Sequence, residues 1–134
     1  NLNGPSDLEN RPIYVKEAIA KGFDCEVDVW LKDGEYFLGH DNPIYDVSKD
    51  FLKHKKMWCH AKSLQALERM LEDGIHCFWH QEDDFTLTSQ GVIWTYPNKP
   101  ICKNSVIVCH DIPDYDYDCL GICCDYVNDI KNKT

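Results

Sequence analysis

The sequence predicts an α/β fold organised around a parallel sheet. Two observations carry that expectation. Helix, glycine and strand follow one another at Gly22, Gly74 and, in a shorter version, Gly91, as they do where crossovers join parallel strands. The run over 25–31 alternates with the two-residue period of a strand. No low-complexity stretch or interdomain linker divides the 134 residues, so a single domain is expected, ending in a polar tail over 128–134.

Residues 11–21 read as the first helix. Pro12 suits its first turn, Tyr14, Val15, Ala18 and Ile19 recur on one face, and Gly22 supplies the left-handed stop. The strand over 25–31 sets Glu26, Asp28 and Trp30 on one face and Cys25, Val27, Val29 and Leu31 on the other, so the second face carries the apolar burial. Asp33-Gly34 is a tight-turn signal leading into Tyr36-Phe37-Leu38, which makes a short hairpin with Gly39-His40-Asp41 at its far end. A strand over 57–62 precedes a second helix over 64–73, capped by Ser63, with Leu64, Leu67, Met70 and Leu71 on one face and Gly74 as its stop. A strand over 75–80 follows. Residues 84–91 form the shorter helical or loop unit before a strand over 92–96. Strands over 105–109 and 121–127 complete the chain, the last opened by Gly121 after an Asp- and Tyr-rich loop.

A composition of 43% hydrophobic and 12% aromatic residues belongs to a packed globular chain. The formal net charge of −9 excludes general nucleic-acid or anionic-membrane binding, because no basic stripe is available to neutralise phosphates. An anionic substrate would call for a metal. No run reaches the ~20 apolar residues of a spanning helix, and no charged start with an apolar core suggests a signal peptide. The eight cysteines, at positions 25, 59, 77, 102, 109, 119, 123 and 124, are irregularly spaced, without a paired Cys-x-x-Cys set. Cys119, Cys123 and Cys124 lack an evident fourth ligand, so free thiols packed as small hydrophobes are expected over disulfides or structural zinc. Free thiols fit a reducing compartment, and the cytoplasm is the expected setting.

Glu26 and Asp28 share one face of an otherwise apolar strand, where two like charges are costly without a cation between them. A hard divalent ion with oxygen ligands, Mg2+ or Ca2+, meets that need; a solvated edge-strand face is the alternative. His40, followed by Asp41, stands where it can reach the same end of the sheet and act as general acid or base, or it is a turn histidine satisfied by its neighbour. His60 and Lys62 repeat the two-residue spacing near a strand's C-terminal end, with Lys62 able to hold a phosphate. Their plainer readings are a hydrogen-bonded core histidine and an ordinary charge at a helix start. His80, Trp94 and Tyr96 offer a polar tip and aromatic faces that could line a pocket. Asp125 is a pocket candidate, whereas His54 and His76 read as surface residues.

Leu8-Glu9-Asn10, Cys25-Glu26-Val27-Asp28-Val29, Lys32-Asp33-Gly34 and Gly39-His40-Asp41, in that order, resemble the opening of the glycerophosphodiester phosphodiesterase family. The resemblance is strongest over residues 8–43. It implies a TIM (βα) barrel, pared down because an ordinary one needs about 250 residues, and N-terminally incomplete, with a first strand of about ten residues carrying a His-Arg-Gly motif before Asn1. It implies Glu26 and Asp28 as metal ligands, His60 in the place of the family's third carboxylate, Lys62 on the phosphate and His40 as a catalytic histidine. His80 and Trp94 complete the expected phosphate and substrate contacts. The implied activity is metal-dependent, acid-base hydrolysis of a small glycerophosphodiester-like substrate. A catalytically degenerate barrel that binds a phosphorylated ligand, or a lyase of the related spider-venom phospholipase D type, are the alternatives.

Overall fold

The computed structural model describes residues 1–111 and 117–133. Of the Asp- and Tyr-rich loop, residues 112–116 lie outside the described residues, as does Thr134. In chain order come α1 (Pro12–Ala20), β1 (Cys25–Lys32), β2 (Glu35–Leu38), β3 (Tyr45–Val47), α2 (Lys49–Leu52), β4 (Met57–Ala61), α3 (Leu64–Glu72), β5 (Cys77–Phe78), β6 (Phe85–Leu87), β7 (Ile93–Thr95), β8 (Ser105–Cys109), β9 (Gly121–Cys124) and α4 (Val127–Lys133). The strands form two mixed sheets, ordered β3-β2-β1-β4-β5 and β6-β7-β8-β9.

The expected TIM barrel is therefore not the fold: among the described residues the two sheets do not close on each other. The physical reasons are local. Asp33 and Gly34 both take left-handed backbone angles, φ 52 and 79, and turn β2 back antiparallel onto β1 where a barrel would need a helical crossover. Residues 84–91 form not a helical unit but β6, which pairs antiparallel with β7. The connection from β7 to β8 contains Pro97 and Pro100 and no helix. What survives of the expectation is the parallel pairing of β1 with β4, β4 with β5, β7 with β8 and β8 with β9.

The alternation read from the sequence organises the first sheet. Val27 and Val29 of β1 and Met57, Cys59 and Ala61 of β4 join Val15, Ala66, Met70 and Ile75 in one core against α1 and α3. Glu26, Asp28, Trp58 and His60 occupy the opposite faces of the same strands. Ser63 caps α3 by accepting the Ala66 N–H at 3.1 Å, as its position predicts. The helix docks differently from its leucine pattern, however. Ala66 and Met70, one turn apart, are buried, while Leu64 and Leu71 are exposed; the small Ala66 lets the helix approach the sheet.

Three further expectations change. The strand over 75–80 shrinks to β5, β3 and α2 are added, and the polar tail becomes α4. The last element folds because tertiary contacts hold it: the Asn128 N–H donates to the Leu2 carbonyl at 3.0 Å, and Val127 and Ile130 are half-buried on one side. A smaller cluster joins the two sheets: Phe78 of β5 packs with Trp94 and Val106 of the second sheet, with Trp58, Val92, Tyr96, Val108 and Cys123 around them. Between the sheets lies a cavity of about 830 Å³, walled by Glu26, Asp28, Trp58 and His60 on one side and by Trp94, Tyr96, Val106 and Cys123 on the other.

Candidate functional site

The site is a product of register. Asp28 and His60 are direct partners in the parallel β1–β4 pair, two residues beyond Glu26 and Trp58 on the same face, so residues 32 positions apart in sequence present their side chains together. His60 Nδ1 lies 3.1 Å from Asp28 Oδ1 and 3.8 Å from Glu26 Oε1. One donor atom from each of Glu26, Asp28 and His60 falls within 4.8 Å of the others, a group able to hold a metal ion.

Each member is supported from behind. The His60 ring stacks on Phe78, centroids 5.4 Å apart at 7°, and its Nε2 sits 3.2 Å from the His80 carbonyl. A carbonyl can only accept, so Nε2 donates here, and the ring is held with Nδ1 toward the carboxylates. Asp28 is gripped by Asn10, which donates to Asp28 Oδ2 at 3.0 Å and accepts the Asp28 backbone N–H at 2.8 Å. Asn10 is buried and holds a left-handed backbone, φ 63, a conformation asparagine tolerates better than most residues.

The two carboxylates titrate in opposite directions. Burial, then the adjacent Asp28 charge, pushes Glu26 well above the usual carboxylate range, with Lys62 pulling the other way. Glu26 has accessible surface, but that surface faces the walled cavity, which explains how it is both open and desolvated. Burial also pushes Asp28 up, yet the hydrogen bonds from His60 and Asn10, with the charges of His60 and Lys62, outweigh it and leave Asp28 below its ordinary value. Lys62 follows β4 directly, its N–H bonded to the Val29 carbonyl at 2.9 Å.

His40 reaches the cavity from the hairpin. Gly39 seats it: the Gly39 N–H bonds the Asp28 carbonyl at 3.2 Å and its carbonyl accepts Trp30 Nε1 at 2.7 Å. A Cβ at position 39 would meet the Asn42 carbonyl oxygen at 1.8 Å, so only glycine fits. His40 lines the cavity at its rim, 69% exposed, with Nδ1 3.0 Å from Asp41 Oδ1. Among the described residues no hydrogen bond joins it to the triad.

The remaining expected residues divide. His80 contributes its carbonyl to His60, and its ring stacks on Tyr96 at 3.4 Å. Among the described residues its buried Nδ1 has no hydrogen-bond partner, although it lies 3.8 Å from Asp83 Oδ2, and burial, then His60, lowers its pKa. Trp94 does line the cavity, but only 4% of it is exposed and it is spent on packing against Phe78 and Trp58, at 4.9 and 5.7 Å. Asp125 also lines the cavity and accepts Asn1 Nδ2 at 2.6 Å. His54 is exposed as expected, whereas His76 is buried, bonded to Thr88 Oγ1 at 2.7 Å and packed on Trp58 at 4.4 Å. All eight cysteines are free; Cys59, Cys77 and Cys124 are buried, and burial, then the Glu26 charge, raises the Cys123 thiol at the cavity wall.

No protein-family model matches the chain, and no curated protein or solved structure matches it either. The resemblance to glycerophosphodiester phosphodiesterases accordingly rests on the motifs over residues 8–43. Among the described residues no helix is long and apolar enough to cross a membrane. Sequence reasoning missed the clamp made by Asn10, although Asn10 stood inside one of those motifs.

Proposed function

We propose that the chain carries the metal and phosphate site of a phosphodiester hydrolase of the glycerophosphodiester phosphodiesterase type. The observation that carries this reading is the convergence of Glu26, Asp28 and His60 on one cavity, with the Lys62 charge acting on both carboxylates. The donor set fits a divalent cation: Glu26 is raised first by burial and then by the adjacent Asp28 charge, and a cation would offset both. When bound, such an ion supplies positive charge to a phosphodiester's oxygens.

The chain's own residues would do the rest. Lys62 adds a second positive charge for the phosphate and orients it. Asn10 and the His80 carbonyl keep Asp28 and His60 in place, so that little reorganisation is needed when charge develops. His40, with Asp41 beside it, is the imidazole at the cavity rim and the group placed to move a proton to or from a reacting oxygen. Trp58, Trp94 and Val106 wall the cavity against bulk water.

The test is hydrolysis of a glycerophosphodiester with and without added divalent cation. Cation-dependent turnover is expected, falling about 10²- to 10³-fold in Lys62→Met and about 10²- to 10⁴-fold in His40→Ala. Unchanged turnover in Glu26→Ala and His40→Ala contradicts the proposal. A second reading, a phosphorylated-ligand binder without turnover, is favoured by one observation: among the described residues His40 is hydrogen-bonded to Asp41 and not to the triad. Cation-dependent binding of a phosphodiester with no product marks that outcome.

A further inference from the structure

The third donor of the triad is a nitrogen, and the surrounding structure commits it to that place. Phe78 stacks under the His60 ring, the His80 carbonyl takes the Nε2 proton, and Nδ1 is left facing both carboxylates at 3.1 and 3.8 Å. Asp28 cannot turn freely either, because Asn10 holds both its backbone N–H and its Oδ2, which leaves Oδ1 toward His60.

Mg2+ and Ca2+ favour all-oxygen surroundings, Ca2+ taking six to eight oxygens. An imidazole with two carboxylates is instead a mixed set suited to first-row transition ions. A histidine whose other nitrogen bonds a carbonyl is also oriented and made a better donor. Here the imidazole stands where an all-oxygen site would put a further carboxylate or water.

We propose that His60 biases the Glu26–Asp28–His60 site toward first-row divalent transition ions in preference to Mg2+ or Ca2+, with Mn2+ as the paramagnetic ion that reports the nitrogen. This rests on the reading of the triad as a metal centre. The nitrogen is direct: His60 Nδ1 binds the ion, and the His80 carbonyl sets its direction.

The experiment titrates metal-free protein with Mn2+, Mg2+ and Ca2+ by calorimetry, in the wild type and in His60→Glu. It also records the pulsed electron paramagnetic resonance of bound Mn2+. The expected result is nitrogen-14 coupling to Mn2+ in the wild type, absent in His60→Glu, with the Mn2+-over-Mg2+ preference falling about tenfold or more in the variant. Circular dichroism verifies that the variant is folded. If it is not, His60→Gln serves for the loss of coupling, and the wild-type spectrum by itself decides whether a nitrogen is bound. Mn2+ bound without nitrogen coupling, or an unchanged preference in a folded variant, overturns the inference while leaving a metal centre in place. Failure of all three ions to bind overturns the metal reading and this inference together.

Discussion

The two sheets face one cavity but are built to different standards. The five-stranded sheet is backed by α1 and α3 over a continuous core in which Val29, Leu38, Met57, Cys59, Ala61, Ala66 and Met70 have no accessible surface. The four-stranded sheet buries Trp94, Val106, Ile107 and Cys124, none of them completely, and leaves Phe85 and Leu87 exposed. All three candidate ligands stand on the first sheet. The second contributes wall: Trp94, Tyr96, Val106 and Cys123. Donor atoms that must hold their positions within tenths of an ångström lie on the well-packed side, as site rigidity requires, and the sparser side is free to shape the cavity.

The largest test of that contrast is truncation inside the first core. Leu38→Ala is expected to cost about 2–5 kcal/mol, read by chemical denaturation. Next is Asn10→Ala, which orphans the buried Asp28 N–H and removes a hydrogen bond from its carboxylate. A cost of about 1–3 kcal/mol is expected, together with weaker divalent-ion binding; full retention of ion affinity would reduce Asn10 to a purely structural part.

A smaller effect, of opposite sign, is expected at Glu26. Its carboxyl is raised in the folded protein from about 4.3 in an unfolded chain, so between those values the folded state binds more protons. Stability from this group is therefore present below about pH 4.3 and is lost as pH rises through the folded value. Glu26→Gln should raise the melting temperature of the metal-free protein at neutral pH, lose that advantage below about pH 4, and weaken metal binding. An advantage that persists unchanged at low pH would show that the carboxylate's charge is not its source. The smallest effect belongs to the second sheet, where Leu87 is 68% exposed and Leu87→Ala should change stability by less than about 0.5 kcal/mol. A loss comparable to Leu38→Ala would erase the contrast.

The parts of the molecule legible in the sequence are those set by local period. β1 shows its acidic and apolar faces because strand alternation is intrinsic, and Gly22, Gly74 and Ser63 mark helix ends through backbone and capping chemistry that neighbours alone decide. The arrangement of the two sheets was not legible. The Asp33-Gly34 hairpin is legible in its turn signal, but the antiparallel return of β6 is not, and only the assembled sheets show that closure fails. His76 reads as a surface residue in the sequence, because its burial comes from Trp58 on β4. Asn10 sits 18 residues from the carboxylate it clamps, a distance no periodicity spans. His60 was assigned to the site by motif position, and the β1–β4 register places it against Asp28.

The most direct measurement of the central claim is calorimetric titration of metal-free protein with Mn2+, wild type against Asp28→Asn, which keeps the side chain's shape and removes its charge. Saturable binding at one site, weakened at least about tenfold in the variant, is the predicted result. Equal affinity in both proteins would contradict a metal centre at Glu26, Asp28 and His60.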